Sequence, residues 1–473
     1  MCRSAFRRKL HWWPILLAKL RFLRLRPGSG PLGRVPAAGQ SAQEETDQYM
    51  ESSRERVHAA LSHKEADRIP LDLGGSGTTG MHVDSVYLLR QALRLDPPGV
   101  PVKVIDPFQM LGEIAPDLVA ALDADVLPLG KQVTDFGFRL EGWKPWTTFA
   151  GTPVLVPEGF NTEPDASGDI LLYPQGDRSV PASGRMPKDG FYFDPITRLP
   201  TVDDATLTVE DNLEEFGPIA DRDLTYLREQ AERLYTTTDK AILLSPGGTS
   251  FGSFSATTAP ALKHPKGIRS VEEWQVSTIT RRDHLIKIFE RQCEIGLANF
   301  KKIADAVGSR VTAVITSYTD FGAQNGPFIS PKTYRTLYKP FNKAVNDWVH
   351  EHTTWKTFTH CCGSVRALLP DFVEAGFDIL NPVQTSAADM DPVELKKTFG
   401  ETLTFWGGGI DTQRTLPFGT PEQVREEVRQ RIKVFGAGGG FVFNPVHNVQ
   451  SRAPVENILA MYGTVRDFGR YPL

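Results

Sequence analysis

Trp355-Lys356-Thr357-Phe358-Thr359-His360-Cys361-Cys362-Gly363 reads as a short strand that runs directly into a turn. β-Branched and aromatic residues favour the extended chain up to Thr359, and Gly363 breaks it. The turn carries a histidine and two cysteines, in a chain of 473 residues that has four cysteines in all. Imidazole and thiolate are the preferred ligands of zinc. Alternate residues of an extended stretch point to the same side. His360 and Cys362 can therefore face one metal while Cys361 points away as a packing residue. Two plainer readings stay open at this level: a buried cysteine pair that only packs, and a strained disulfide between neighbours.

The same arrangement, a polar group just past a strand, recurs along the second half. Candidate strands are Ala241–Ser245, Val311–Thr316, Trp355–Thr359, Phe377–Leu380, Leu403–Trp406 and Gly440–Phe443. Helices lie between them. One is predicted from Asp283 to about Ala306, with Phe289, Cys293, Leu297 and Phe300 at helical spacing. Another starts with Ser330 as cap and Pro331 at its first position, and carries Leu337, Phe341, Val345 and Trp348 on one face. Thr420-Pro421-Glu422-Gln423 is a capping box ahead of Val424, Val428 and Ile432. Alternation of strands and helices predicts a parallel sheet, and strands of buried-type residues predict a sheet covered on both faces. An open doubly wound sheet and a closed barrel both satisfy this. Asp320, His360, Asn381, Asp411 and His447 each follow a strand, and in a barrel such ends converge on one mouth. The expected fold class is therefore α/β, a (β/α)8 TIM barrel.

The first half is less regular. Arg54–His63 and Val83–Leu95 read as helices, and Arg68–Leu73 reads as a strand broken by Gly74 and Gly75. A stretch of about 140–220, rich in Gly, Pro, Asp and aromatics, reads as a β-rich insertion, followed by a helix from about Leu224 to Tyr235. Residues 50–473 form the expected barrel domain. Residues 1–49 are expected to be a basic, disordered extension, since residues 1–43 hold nine Arg or Lys and no Asp or Glu. Two origins fit it: a dispensable segment ahead of a start near Met50, or a targeting or membrane-surface arm.

Composition narrows the function class. The chain is 40% hydrophobic and 23% charged with a net charge of −4, so nothing favours nucleic acid as partner. No stretch approaches the roughly 18 apolar residues of a transmembrane helix. Few cysteines in no regular framework argue for a reducing, cytoplasmic setting.

Downstream of Cys362 there is one histidine, His447, in Phe443-Asn444-Pro445-Val446-His447-Asn448. As third ligand it would complete a site with an open position, where a bound thiol or water loses its proton near neutral pH. Its plainer role is to hydrogen-bond a substrate in the same mouth. Asp320 suits a catalytic carboxylate that orients a ligand or moves a proton, or else a turn aspartate. Gln324, Asn381, Gln384, Asp411 and Asn444 are candidate substrate-binding groups, with Gln413 beside them. Gly75-Ser76-Gly77-Thr78-Thr79-Gly80 fits a dinucleotide fingerprint, but no carboxylate ends a following strand about 20 residues on. Turn chemistry, or a loop that lets a substrate come close, explains it better. His350-Glu351-His352 lacks the i, i+4 spacing that aims two imidazoles together and reads as a solvated helix end. Cys293 reads as core.

Several of these stretches resemble the uroporphyrinogen decarboxylase superfamily over about residues 50–473. Arg54-Glu55-Arg56-Val57 and Asp67-Arg68-Ile69-Pro70 resemble its opening. His360-Cys361-Cys362-Gly363 is similar to the His-x-Cys-Gly element of its zinc-dependent methyltransferase branch. Gly376 to Gln384, Phe405 to Asp411 and Asn444 to Asn448 resemble stretches of its cobamide-linked and uncharacterised members. The resemblance implies a (β/α)8 barrel, a zinc ion, and methyl transfer to or from a corrinoid (cobamide). That corrinoid would sit on a separate carrier protein, because the Asp-x-His-x-x-Gly cobalt-ligand pattern is absent. The branch has a distant cysteine where this chain presents His447. A metal-free uroporphyrinogen decarboxylase of porphyrin biosynthesis is the alternative, although the Arg-rich segment that clasps its substrate is not found. A non-catalytic corrinoid- or tetrapyrrole-binding protein is a second alternative.

Overall fold

The structure is a computed structural model and describes residues 50–473. The basic extension read over residues 1–49 lies outside them. Seven parallel strands form the central sheet: β1 (Val126–Gly130), β2 (Ala241–Ser245), β3 (Ala313–Ser317), β4 (Lys356–His360), β5 (Ile379–Asn381), β6 (Thr404–Trp406) and β7 (Phe441–Val442). Each strand pairs with the next in sequence, so spatial order equals chain order. Helices cover the outside, among them Asp221–Thr237, Arg282–Val307, Lys339–His352, Pro392–Phe399, Pro421–Arg431 and Val455–Phe468. The caps read from sequence are present: Ser330 accepts from the Thr333 N–H, and Thr420 with Gln423 forms a reciprocal box.

Alternate strand residues face two different cores, as period-two side chains on a curled sheet must. Val126, Ala241, Leu243, Ala313, Ile315, Phe358, Ile379, Trp406 and Val442 pack together on the inner side. Val57, Ala60 and Leu61 of the helix Ser53–Leu61 plug one end of that inner core. Ile242, Leu244, Val314, Leu380, Phe405 and Phe441 face outward into the core beneath the helices.

Two expectations change. Val126–Gly130 was not among the predicted strands, because Pro128 sits at its centre and proline demotes a strand reading. Arg68–Leu73 was expected as a strand, but only Arg68 and Leu71 make bridge pairings. Pro70 has no N–H to give, and the Leu71 N–H is taken at 2.7 Å by the Asp125 carboxylate. The segment still spans the two edges of the sheet. The Phe443 N–H donates to the Pro70 carbonyl at 2.8 Å and the Asp72 N–H to the Phe443 carbonyl at 2.9 Å. On its other side the Asp125 N–H donates to the Leu71 carbonyl at 2.7 Å.

Within residues 140–220 the structure holds a hairpin, Lys144–Thr147 with Pro153–Val156, and a four-stranded antiparallel meander from Thr162 to Pro195. Phe136, Phe138, Phe160 and Phe193 pack edge and face beneath it. Among the described residues no helix is long and apolar enough to cross a membrane.

Asp125 is fully buried, and Arg56 and Arg68 are its ion-pair partners. Asp125→Ala should leave two guanidiniums without their shared carboxylate and cost about 3–5 kcal/mol of stability. Urea unfolding of the variant against the wild type measures this.

Candidate metal centre

His360 is the last residue of β4, and it is in register with Asn381, the last residue of β5. That pairing sets two side chains on one face. The His360 Nδ1 lies 2.6 Å from the Asn381 Oδ1. The Asn381 amide cannot be reversed, because its Nδ2 donates to the Trp406 carbonyl at 2.8 Å. An oxygen therefore faces Nδ1, which must carry the proton, and Nε2 is left bare. The bare Nε2 lies 3.3 Å from the Cys362 Sγ. His447 stands opposite, its ring 5.3 Å from that of His360 at 74°. One ligand atom each from His360, Cys362 and His447 falls within 4.8 Å of the other two.

The turn that carries Cys362 is built by close backbone approach. Gly363 has φ +85°, and a Cβ there would lie 2.4 Å from the Gly322 carbonyl carbon. Only glycine fits such a contact. Cys361 points away and is fully buried, its sulfur accepting the Phe321 N–H at 3.2 Å.

Burial sets the protonation of the donors. It lowers His360 to about 4 and His447 to about 3, the latter helped by the neighbouring His360. Both imidazoles are thus neutral near pH 7, as metal ligands require. Burial, with the Asp320 charge beside it, pushes the Cys362 thiol well above its usual range. Asp320 itself is raised by burial. Its Oδ1 accepts the Cys362 N–H at 2.6 Å and lies 4.0 Å from the His360 Nε2. A divalent cation would reverse the thiol's shift, since a coordinating thiol is deprotonated outright. The donor set fits zinc in kind: two imidazoles and a thiol, with a carboxylate at the edge. His447 is the adjustable member. Its Nδ1 accepts the Asn448 N–H at 2.8 Å, which puts the neutral ring's proton on Nε2. Ligation through either nitrogen trades that contact away.

The other residues read from sequence are spread more widely. Gln384 accepts the Gly363 N–H at 2.8 Å and donates to Gln324 at 3.2 Å, so the two brace the cysteine turn from its rim. Asn381 is fully buried and serves His360 directly. Asn444 is also buried, its Nδ2 donating to the Asp72 and Thr79 carbonyls at 3.1 and 3.2 Å. Asp411 accepts the Gln413 and Arg414 N–H groups as a turn cap. It faces a separate cleft of about 650 Å³ with Arg414, Gln423 and Arg431, not the histidines. His350 and His352 lie on the exposed helix end, and Cys293 is buried.

Sequence reading missed three residues around the same mouth. Tyr318 lies with its ring 5.9 Å from that of His360 and its hydroxyl 3.1 Å from Ser245. Thr78 donates to the Asn381 Oδ1 at 3.2 Å. Asp106 ends the strand Val102–Asp106 and caps its own turn through the Phe108 and Gln109 N–H groups. The only hint in the sequence was the run of turn formers at 75–80.

Residues 192–468, more than half of the chain, match the uroporphyrinogen decarboxylase (URO-D) family. The chain belongs to that family. The match takes in β2 to β7 and every proposed ligand. No curated protein sequence matches the chain. Among solved structures, a methyltransferase from Methanosarcina mazei is similar over 88% of this chain and 99% of its own, with a TM-score of 0.50 and 15% identity. At that identity the likeness is one of fold. It shows this URO-D family member as a mixed α/β protein built on a curled parallel sheet.

Two outcomes follow from the geometry. Asn381→Leu removes the acceptor at the His360 Nδ1 and should weaken divalent-metal binding roughly 10–100-fold, as loss of such partners does; chelator competition measures it. The Asp106 carboxyl is pushed up to about 7 by burial and by the nearby Asp135 charge, from an ordinary 3.8. Between those values the folded protein keeps a proton that the unfolded chain has released, so stability falls as pH rises through the window. Asp106→Asn keeps the turn and removes the charge. Its melting temperature should exceed that of wild type at about pH 8, and the gap should close by about pH 4.

Proposed function

We propose that this URO-D family member is a zinc-dependent methyltransferase that moves a methyl group to or from a corrinoid (cobamide) on a separate carrier protein. The observation that carries the reading is the convergence of His360, Cys362 and His447 within 4.8 Å. Family membership and a fold shared with a methyltransferase agree with it. Bound by these three residues, zinc would lower the pKa of a thiol or water in its open position, or polarise a donor.

The chain's own residues have separable tasks. His360 and His447 supply neutral nitrogen donors, and Cys362 supplies the thiolate. Asp320, next to both His360 and Cys362, is placed to take the proton that the Cys362 thiol must give up, and we assign it the catalytic carboxylate role. Gln324, Gln384 and Asn444 brace the surroundings, and we keep them as candidate contacts for a small-molecule methyl donor or acceptor; Asp411 is kept only for a contact in its separate cleft. We further infer a closed (β/α)8 barrel, with Pro70–Asp72 as the eighth stave joining β7 to the foot of β1. Closure explains how ligands from β4 and the far end of β7 meet. A reducing cytoplasm would keep Cys361 and Cys362 as thiols.

Metal analysis of purified wild type should find about one zinc per chain, largely lost in Cys362→Ser and His447→Ala. Chelation should abolish methyl transfer from methylcobalamin to a thiol, and added zinc should restore it. A metal-free wild type with full methyl transfer would overturn the reading. Conversion of uroporphyrinogen by the stripped protein would favour decarboxylation instead.

A further inference from the structure

The loop Gly75–Gly80, which follows the Pro70–Asp72 segment, touches both histidines of the candidate site through one asparagine each. On one side the Thr78 hydroxyl donates to the Asn381 Oδ1 at 3.2 Å, the same oxygen that faces the His360 Nδ1 at 2.6 Å. On the other side the fully buried Asn448 accepts the Gly80 N–H at 2.6 Å and donates to the Gly77 carbonyl at 2.9 Å. The Asn448 backbone N–H is the group that holds the His447 Nδ1. The loop is cross-braced between these two attachments. Its Ser76 N–H donates to the Thr79 hydroxyl at 3.0 Å, its Ser76 hydroxyl pairs with Thr78 at 3.1 Å, and its Gly75 N–H donates to Asp72 at 2.8 Å. The buried Asn444 clamps it again at the Thr79 carbonyl.

We infer that the loop Gly75–Gly80 is the positioning device that sets the two imidazoles of the metal site against each other, through Asn381 and Asn448. The inference rests on the metal reading above. His360 and His447 lie 87 residues apart on different strand ends, and their direct ring contact is an edge contact without a hydrogen bond. The Asp320 carboxylate also lies near both rings, 4.0 Å from the His360 Nε2 and close enough to His447 to act on its charge, but the hydrogen bonds at both Nδ1 atoms trace back to the loop. A neutral amide accepts from imidazole but cannot take its proton, so Thr78 and Asn381 fix direction without altering charge. Thr78 and Asn448 therefore act through the histidines, as positioning residues.

Cobalt(II) titration of the full chain, followed by its visible absorption bands, tests this. Wild type should bind about one cobalt with the band pattern of a low-coordinate nitrogen and sulfur site. Thr78→Val should bind roughly 3- to 10-fold more weakly, short of the loss expected for a direct partner of a ligand, with shifted bands. Thr78→Ser should restore both affinity and bands. If Thr78→Val does not fold, Asn448→Ala gives the same comparison on the His447 side. Unchanged affinity and bands in a folded Thr78→Val would overturn the positioning role while leaving the metal reading intact. A wild type that takes up no cobalt or zinc would overturn the metal reading itself.

Discussion

The Asp125 carboxylate is the fixed point of this molecule. It is fully buried at the foot of β1 and accepts five hydrogen bonds, from Ser53, Arg56, twice from Arg68, and from the Leu71 N–H. A carboxylate has about four lone-pair sites, so this one is saturated. Two of its donors come from the helix Ser53–Leu61 that plugs the inner core. The rest come from the segment that spans the sheet edges. An ion cluster this dry is weak evidence of net stability, but it strongly penalises any arrangement that separates its members. It thereby dictates where residues 68–72 run, and hence where the loop Gly75–Gly80 begins.

From that point the consequences pass upward along the strands. The loop can reach Asn381 and Asn448 only because Pro70–Asp72 lies against Phe443 on one side and Asp125 on the other. Asp72, fully buried, continues the chain of contacts, accepting the Trp406 indole N–H at 2.8 Å on the inner side of the curled sheet. The foot of the sheet and the candidate metal site are thus linked by backbone pairing and by short polar contacts. A loop of small residues, open to many conformations when unfolded, is held in the folded state by Asp72, Asn381, Gln109, Asn444 and Asn448. That ordering costs entropy, and the contacts it sets reach the neighbours of both imidazoles.

The regular half of the chain was readable because its signals are local. Phe358 and Thr359 favour the extended chain, Gly363 ends it, and Ser330 or Thr420 caps a helix by bonds three residues away. The cysteine turn was readable because histidine and cysteine are scarce and chemically specific. What failed or was missed depends on distant partners. The Leu71 N–H is taken by a carboxylate 54 residues away, and Thr78 is placed by Asn381, 303 residues away. Pro128 hid a true strand, since a proline is tolerated where its missing N–H is not needed by a neighbour. Asp411 had the right position after a strand, but its oxygen serves the turn at Gln413 and Arg414. Position past a strand end brings a residue to the mouth, and local turn chemistry then decides whether its side chain remains free.

The choice of an amide at position 381 bears on what the site can do. A carboxylate against the His360 Nδ1 would raise the basicity of the ring and add negative charge beside Asp320. Asn381 accepts the same hydrogen bond at 2.6 Å and brings no charge. With neutral imidazoles, one thiolate and a divalent zinc, the centre would keep a net positive charge. The open position would then favour an incoming anion such as a substrate thiolate, the nucleophile that methyl transfer needs. A second carboxylate in contact with the metal shell would cancel that charge and hold the nucleophile less firmly. The buried amide therefore agrees with the proposed activation of an anionic acceptor, with Asp320 beside the ligands to receive a proton.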